Sequence, residues 1–210
     1  MGIEERRERE KRERRELILK SAMQVYLEEG YHATTMDKIA QKAELSRATL
    51  YLYFKTKEEI FVHAIVSFLE HFGSMLDDLY SRKEHLKKGL LKGLWSLFLK
   101  FYIKDPVIFN ISLYFHQREM IHHLPGDLRV LLDRAGSHNY HRLCRIMEYG
   151  VKNGIFLQFD PKTLAEVVWT AFLGVVHIEN SKKAMARKNH LEKTCDLAYE
   201  ILSKGMSPTR

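Results

Sequence analysis

The sequence predicts an all-α fold. No alternating strand of useful length is bounded by Gly-Asn or Asp-Gly turns. Apolar residues recur at helical spacing along most of the chain. Pro106, Pro125 and Pro161 each stand where one helical pattern ends and the next begins, while Pro208 sits in the tail.

Residues 4–16, EERREREKRERRE, alternate in sign. Glu5 and Arg9, Glu8 and Arg12, and Glu10 and Arg14 are each four apart in the order that favours helix pairs. Two compatible readings stand: a solvated extension of the first helix, or a basic arm that touches a nucleic-acid backbone or groove.

The first packed helix follows, with Leu17, Ile18, Ala22, Val25 and Tyr26 as its apolar stripe. Gly30 sits where a helix ends in a left-handed residue. Thr35 is a good N-cap for a second helix. Asp37 lies in its first turn, where a carboxylate suits the dipole, and Met36, Ile39, Ala40 and Ala43 form the inner face. Glu44-Leu45 makes a very short turn. Ser46 then caps a third helix, RATLYLYF, and Thr56 caps a long fourth one.

Three short helices with a tight turn between the second and third are the helix-turn-helix layout, whose second helix lies in the major groove of DNA. Leu50 and Phe54 are four apart and face inward. Arg47, Ala48 and Tyr51 lie on the opposite side, at the end that meets base edges. Arginine can fork onto guanine O6 and N7, which discriminates by about 1–3 kcal/mol. Ala48 permits close approach and contact with a thymine methyl. Tyr53, Lys55 and Lys57 suit phosphates, as do the backbone amides that open the fourth helix. The competing structural assignment makes Tyr51 and Tyr53 packing residues and Lys55 and Lys57 a solvated helix start.

In these pieces, GYHATTMDKIAQKA followed by LSRATLYLYFKTKEEIF, the chain resembles the DNA-binding region of TetR-type transcriptional regulators. The likeness combines a Gly-aromatic pair, a Thr-Thr cap, an Ile-Ala helix, a Ser-x-x-Thr-Leu-Tyr helix and a Phe-Lys-x-Lys exit. It implies that Thr35, Ser46, Arg47, Ala48, Thr49, Tyr51, Tyr53, Lys55 and Lys57 stand at DNA. One departure is Glu44, where glycine is frequent in that family. If this position is left-handed, glutamate costs about 1 kcal/mol or slightly more there.

The resemblance implies three segments: a charged extension over 1–16, a helix-turn-helix domain over 17–61, and a helical ligand-binding and dimerisation domain over 62–205. Helices are expected over 57–81, 83–104, 105–121, 126–153, 161–186 and 189–204, so that the chain totals about nine. The last two are the dimer candidates, through Leu164, Val168, Trp169, Phe172, Val176, Leu191, Leu197 and Ile201. The stretch TLAEVVWTAFLGVVHIEN is apolar over more than one face, as buried helices are.

The ligand region is expected among the middle helices, at Trp95, Phe98, Tyr102, Phe109 and Leu113, most of which equally suit a plain core. Polar candidates are His116 and Arg118 in YFHQREM, with His138 and His177 further on. Arg118 either clamps an anionic ligand group or pairs with a nearby acid. The basic stretches SRKEHLKKGLLKG and SKKAMARKNH read as solvated faces.

Composition excludes several classes. A net charge of +7 and a pI of about 9.3 favour anionic partners without naming one. Two cysteines, Cys144 and Cys195, make neither a disulfide framework nor a zinc site, and a cytoplasmic protein is expected. No nucleophile elbow, metalloprotease motif or phosphate loop is present, so no enzyme, cofactor or metal is expected. No apolar run is expected to span a bilayer. The resulting expectation is a homodimeric regulator, most simply a repressor, of a palindromic double-stranded DNA operator, answering to a partly apolar small molecule. The rivals are an α-helical enzyme or lipid carrier, and an architectural DNA-binding protein without a ligand.

Overall fold

The computed structural model describes residues 2–117, 120–186 and 190–208, without the side chains of residues 3, 88, 116, 117 and 183–186. Lys88, His116, Arg118, Lys183, Arg187 and Lys188, singled out in the sequence, therefore lie outside what is described, wholly or in their side chains. The described residues are helical and contain no strand. The helices are α1 (Ile3–Ala33), α2 (Met36–Lys42), α3 (Arg47–Tyr53), α4 (Lys57–Ser81), α5 (Leu90–Lys104), α6 (Pro106–Gln117), α7 (Met120–His123), α8 (Gly126–Lys152), α9 (Pro161–Ala186) and α10 (Leu191–Met206).

Packing divides the chain into two compact units, along a different line from the functional division expected after residue 61. One unit holds residues 1–69 and 105–135. Its core joins Ile18 and Ala22 of α1, Ile39 of α2, Leu50 of α3, and Phe61 and Ile65 of α4 to Ile111 and Phe115 of α6 and Leu128 of α8. The helix-turn-helix is thus completed by α6, α7 and the start of α8. The other unit holds residues 70–104 and 136–210. Its core is aromatic: Phe72 stacks on Phe101 at 4.3 Å, and Phe98 meets Trp169 and Phe172 at 5.0 and 5.4 Å between ring centroids.

Local details refine the expectation. The helix expected from residue 83 begins as tight turns and a 3₁₀ turn at Lys87–Gly89, and α5 starts only at Leu90. The stretch RKEHLKKG offers one apolar residue to hold a helix down, whereas Leu90, Leu91 and Leu94 are buried. Gly30 has positive φ as expected, but its ψ of 171° is extended rather than left-handed, and a further turn of helix follows it. In the extension, ion pairs form between Arg6 and Glu10 and between Arg9 and Glu13. Finally, α4 is long and apolar enough by composition to cross a bilayer. Its apolar residues, from Ile60 to Leu79, are instead largely buried in core.

Candidate nucleic-acid interface and ligand site

The two caps form as the sequence predicts. Thr35 Oγ1 accepts from the Lys38 amide at 3.3 Å, and Ser46 Oγ accepts from the Thr49 amide at 3.0 Å and lies 2.8 Å from Thr49 Oγ1. Between the helices, Glu44 adopts φ 54°, the one positive φ at a described non-glycine residue. The Leu45 amide returns to the Ala40 carbonyl at 2.9 Å, closing α2 with a left-handed residue. The strain anticipated for glutamate at this position is therefore present.

Leu50 and Phe54 are fully buried and anchor α3. On the other side Arg47 and Ala48 are exposed and Tyr51 is half-buried. Arg47 Nε donates to Asp37 Oδ1 at 2.9 Å, and its guanidinium lies 5.9 Å from the Tyr51 ring centre. The Tyr51 hydroxyl, and after it the Asp37 carboxylate, push the Arg47 pKa up. Leu52, 80% exposed, was not among the sequence candidates. Its position four residues after Ala48 was the available signal, since the two share one helix face.

The remaining candidates have structural partners. Tyr53 packs against the core. Lys55 Nζ donates to the Tyr51 carbonyl at 3.1 Å, and the Lys55 amide donates to Glu59 Oε2 at 2.6 Å. Lys57 Nζ donates to the Tyr31 and Thr34 carbonyls at 3.0 and 3.1 Å and sits 4.5 Å from the Tyr31 ring centre. The Tyr31 hydroxyl donates to Glu58 Oε1 at 3.1 Å, and burial, then Glu58, push its pKa far up.

The expected ligand residues are not gathered into one cluster within either unit. Trp95 and Phe98 are buried in the aromatic core, and Trp95 Nε1 has no hydrogen-bond partner among the described residues. The Tyr102 hydroxyl donates to Asn180 Oδ1 at 2.6 Å. Phe109 and Leu113 belong to the unit that holds the helix-turn-helix. His177 is exposed. His138 lines an open cleft of about 430 Å³ with Asp77, His141, Arg142 and Arg145. There Asp77 accepts from Arg142 Nε at 2.8 Å and Arg145 Nη2 at 2.7 Å. Two guanidiniums share one carboxylate, so the cleft keeps a net positive charge and spare donors.

The dimer candidates also separate. Leu164, Val168, Phe172 and Val176 are buried within the chain itself, because the aromatic core needs that face of α9. Trp169 and Leu191 are half-buried. Leu197 and Ile201 are 58% and 63% exposed, and among the described side chains of α9 the large apolar ones that are exposed are Val167 and Ile178.

A helix-turn-helix with an exposed Arg-Ala-Tyr-Leu surface and a separate helical unit defines the class of DNA-binding transcriptional regulators. Residues 18–64 match the family of bacterial regulatory proteins called tetR. Over those residues the chain carries that family's DNA-binding signature. The HTH-type transcriptional regulator YhgD of Bacillus subtilis is 24% identical over 166 residues, covering 78% of this chain and 83% of YhgD. The TetR-family regulator PfmR of Thermus thermophilus superposes with a TM-score of 0.70 at 19% identity, covering 91% of this chain and 96% of PfmR. FadR of Bacillus subtilis, solved in complex with stearoyl-CoA, gives a TM-score of 0.67 at 22% identity, covering 90% of this chain and 97% of FadR.

Proposed function

We propose that the protein is a homodimeric repressor that binds a palindromic operator and leaves it when a small molecule binds. The observation that carries this reading is the outward face of α3, where Arg47, Ala48, Tyr51 and Leu52 stand clear of a buried Leu50–Phe54 anchor. Arg47 reads a guanine, Ala48 and Leu52 meet thymine methyls, and Thr35, Ser46, Thr49, Tyr53, Lys55 and Lys57 surround the backbone. Residues 17–61 do this work, residues 62–205 bind the effector and the second copy, and the protein acts in the cytoplasm. The effector favours a dimer whose recognition helices are wrongly spaced, and must bind that state more tightly to release DNA.

The effector is amphipathic, with an apolar part and an anionic group. The aromatic core, the Trp95 N–H without a partner among the described residues and the Arg142–Arg145 cleft support this, and FadR's stearoyl-CoA complex gives a chemical precedent.

The test is binding of the purified protein to its own upstream DNA, against a scrambled fragment, over a salt series. A preference of about 10³-fold or more, lost in Arg47→Ala and Tyr51→Ala, supports the reading. No DNA binding at low salt by a folded dimer sinks it. Long-chain acyl-CoA, free coenzyme A and free fatty acid then serve as thermal-shift probes. A shift with the acyl-CoA alone fits an amphipathic effector.

A further inference from the structure

We infer that the helical extension of α1 is a second DNA-contacting element, which grips backbone phosphates through one basic stripe. The inference rests on the DNA-binding reading above and extends it beyond the helix-turn-helix.

The extension is continuous helix from Ile3 into the packed part of α1, and residues 4–14 are exposed. It lies outside the matched family region, which starts at residue 18. Its charge is not evenly mixed around the axis. Arg7, Lys11 and Arg14 follow one another at steps of four and three. The same stepping continues to Ile18, Ser21 and Val25, all buried. One stripe therefore runs along α1, buried where the domain covers it and basic where it is exposed. A step alternating four and three drifts only about 20° per seven residues, so the basic part keeps the azimuth of the buried part.

That azimuth fixes the direction. The buried stripe faces the rest of the domain. Arg15 marks where the packed part ends: its Nη1 donates to the Tyr53 carbonyl at 3.4 Å, and its guanidinium lies 4.4 Å from the Phe54 ring centre. Tyr53 and Phe54 close α3. Arg15, next to Arg14 in sequence, thus places the start of the extension beside the C-terminal end of the recognition helix.

Charge pairing separates the faces. Arg6 and Arg9 pair with Glu10 and Glu13. Arg7, Lys11 and Arg14 form no ion pair among the described residues. At a rise of about 1.5 Å per residue they span about 10 Å, close to three base pairs of backbone at about 3.4 Å each. A helix ordered before binding avoids the ordering cost that a disordered arm pays.

The test compares two triple variants of the full chain by salt-series binding to the operator. One is Arg7→Gln, Lys11→Gln and Arg14→Gln. The other is Arg6→Gln, Arg9→Gln and Arg12→Gln, which removes the same charge from the other faces. Glutamine is a good helix former, and circular dichroism checks that both extensions stay helical. The stripe variant should lose about 10- to 100-fold in affinity near 0.15 M salt, with the log–log salt slope falling by about 2 to 3. Operator preference over scrambled DNA should be kept, because phosphate contacts carry no base information. The off-stripe variant should change far less. Equal losses in the two variants, or an unchanged slope in the stripe variant, would overturn the inference while leaving the helix-turn-helix reading intact. A wild-type protein that binds no DNA overturns both.

Discussion

Arg47 Nε and Asp37 Oδ1 lie 2.9 Å apart, so the residue best suited to read a guanine is already held by a carboxylate from the preceding helix. Both side chains are exposed, so water weakens the pair and DNA can compete with it. Asp37 also repels phosphates nearby. Asp37→Asn should therefore tighten binding to operator and scrambled DNA alike, with the larger gain on scrambled DNA, and narrow the preference between them. Fluorescence anisotropy on both fragments measures this. Unchanged affinities would show that the pair has no part in discrimination.

Glu44 sits at φ 54° in the turn that sets α3 against α2. A left-handed residue with a side chain costs about 1–2 kcal/mol, and glycine returns about 0.5–1 kcal/mol of that as chain entropy. Glu44→Gly should stabilise the protein by about 0.5–1 kcal/mol, and Glu44→Ala should give none of that gain. Chemical denaturation of the two variants separates backbone strain from loss of the negative charge. Equal stability of both variants would contradict the strain argument.

The helix-turn-helix was legible because each of its signals is local. The Thr35 and Ser46 caps, the Leu50–Phe54 anchor and the short turn at Glu44 are set by neighbours a few residues away. What stayed hidden depends on remote partners. Nothing local says that Lys57 turns inward onto the Tyr31 and Thr34 carbonyls. Likewise α9 is apolar on two faces, and only tertiary packing decides that Val168 and Phe172 serve the protomer's own core while Val167 and Ile178 stay outside. The aromatic residues of α5 and α6 posed the same problem, since a core and a pocket use the same side chains.

Gly150 stands where α8 nears its end. A Cβ added there would overlap the Phe156 ring, which is buried. The chain doubles back at this point: the Phe156 amide donates to the Gly150 carbonyl at 3.1 Å, and Gly154 takes φ 65°. Gly150→Ala must push the ring out of its site, and overpacking of this kind costs about 1–3 kcal/mol. A drop in denaturation midpoint of that size is expected, with Gly136→Ala, where the added carbon meets nothing within 4 Å, as the control. Equal behaviour of the two variants would refute the packing argument.

His63 lies 5.7 Å from Phe54, ring centre to ring centre. Burial, then the charge of Arg15, lowers its pKa below the ordinary 6.5, while Glu59 opposes them weakly. The folded state thus prefers neutral imidazole. The unfolded chain takes up a proton at higher pH than the folded one, so stability is full above about pH 6.5 and is lost as pH falls toward the folded value. Melting temperature should decline below about pH 6.5. In His63→Gln that decline should be shallower, with the remainder owed to groups such as His71, which is lowered by its own burial and by Lys104. Identical pH profiles for the two proteins would remove His63 from the account.

Leu197 and Ile201 are four apart on α10 and more than half exposed, while Val168 and Phe172 of α9 are fully buried. If the first pair meets a second copy of the chain, carboxylates there should separate the copies without disturbing the fold. Leu197→Glu with Ile201→Glu should sediment as a monomer and keep its helical spectrum. A dimer gains from holding two half-sites together, so operator affinity should fall by about 100-fold or more. Val168→Ala is the contrasting variant: it should remain a dimer and lose about 1–3 kcal/mol of stability, because it opens a cavity inside the protomer. A double variant that stays dimeric, or a Val168→Ala protein that dissociates, would move the interface to another face of these helices.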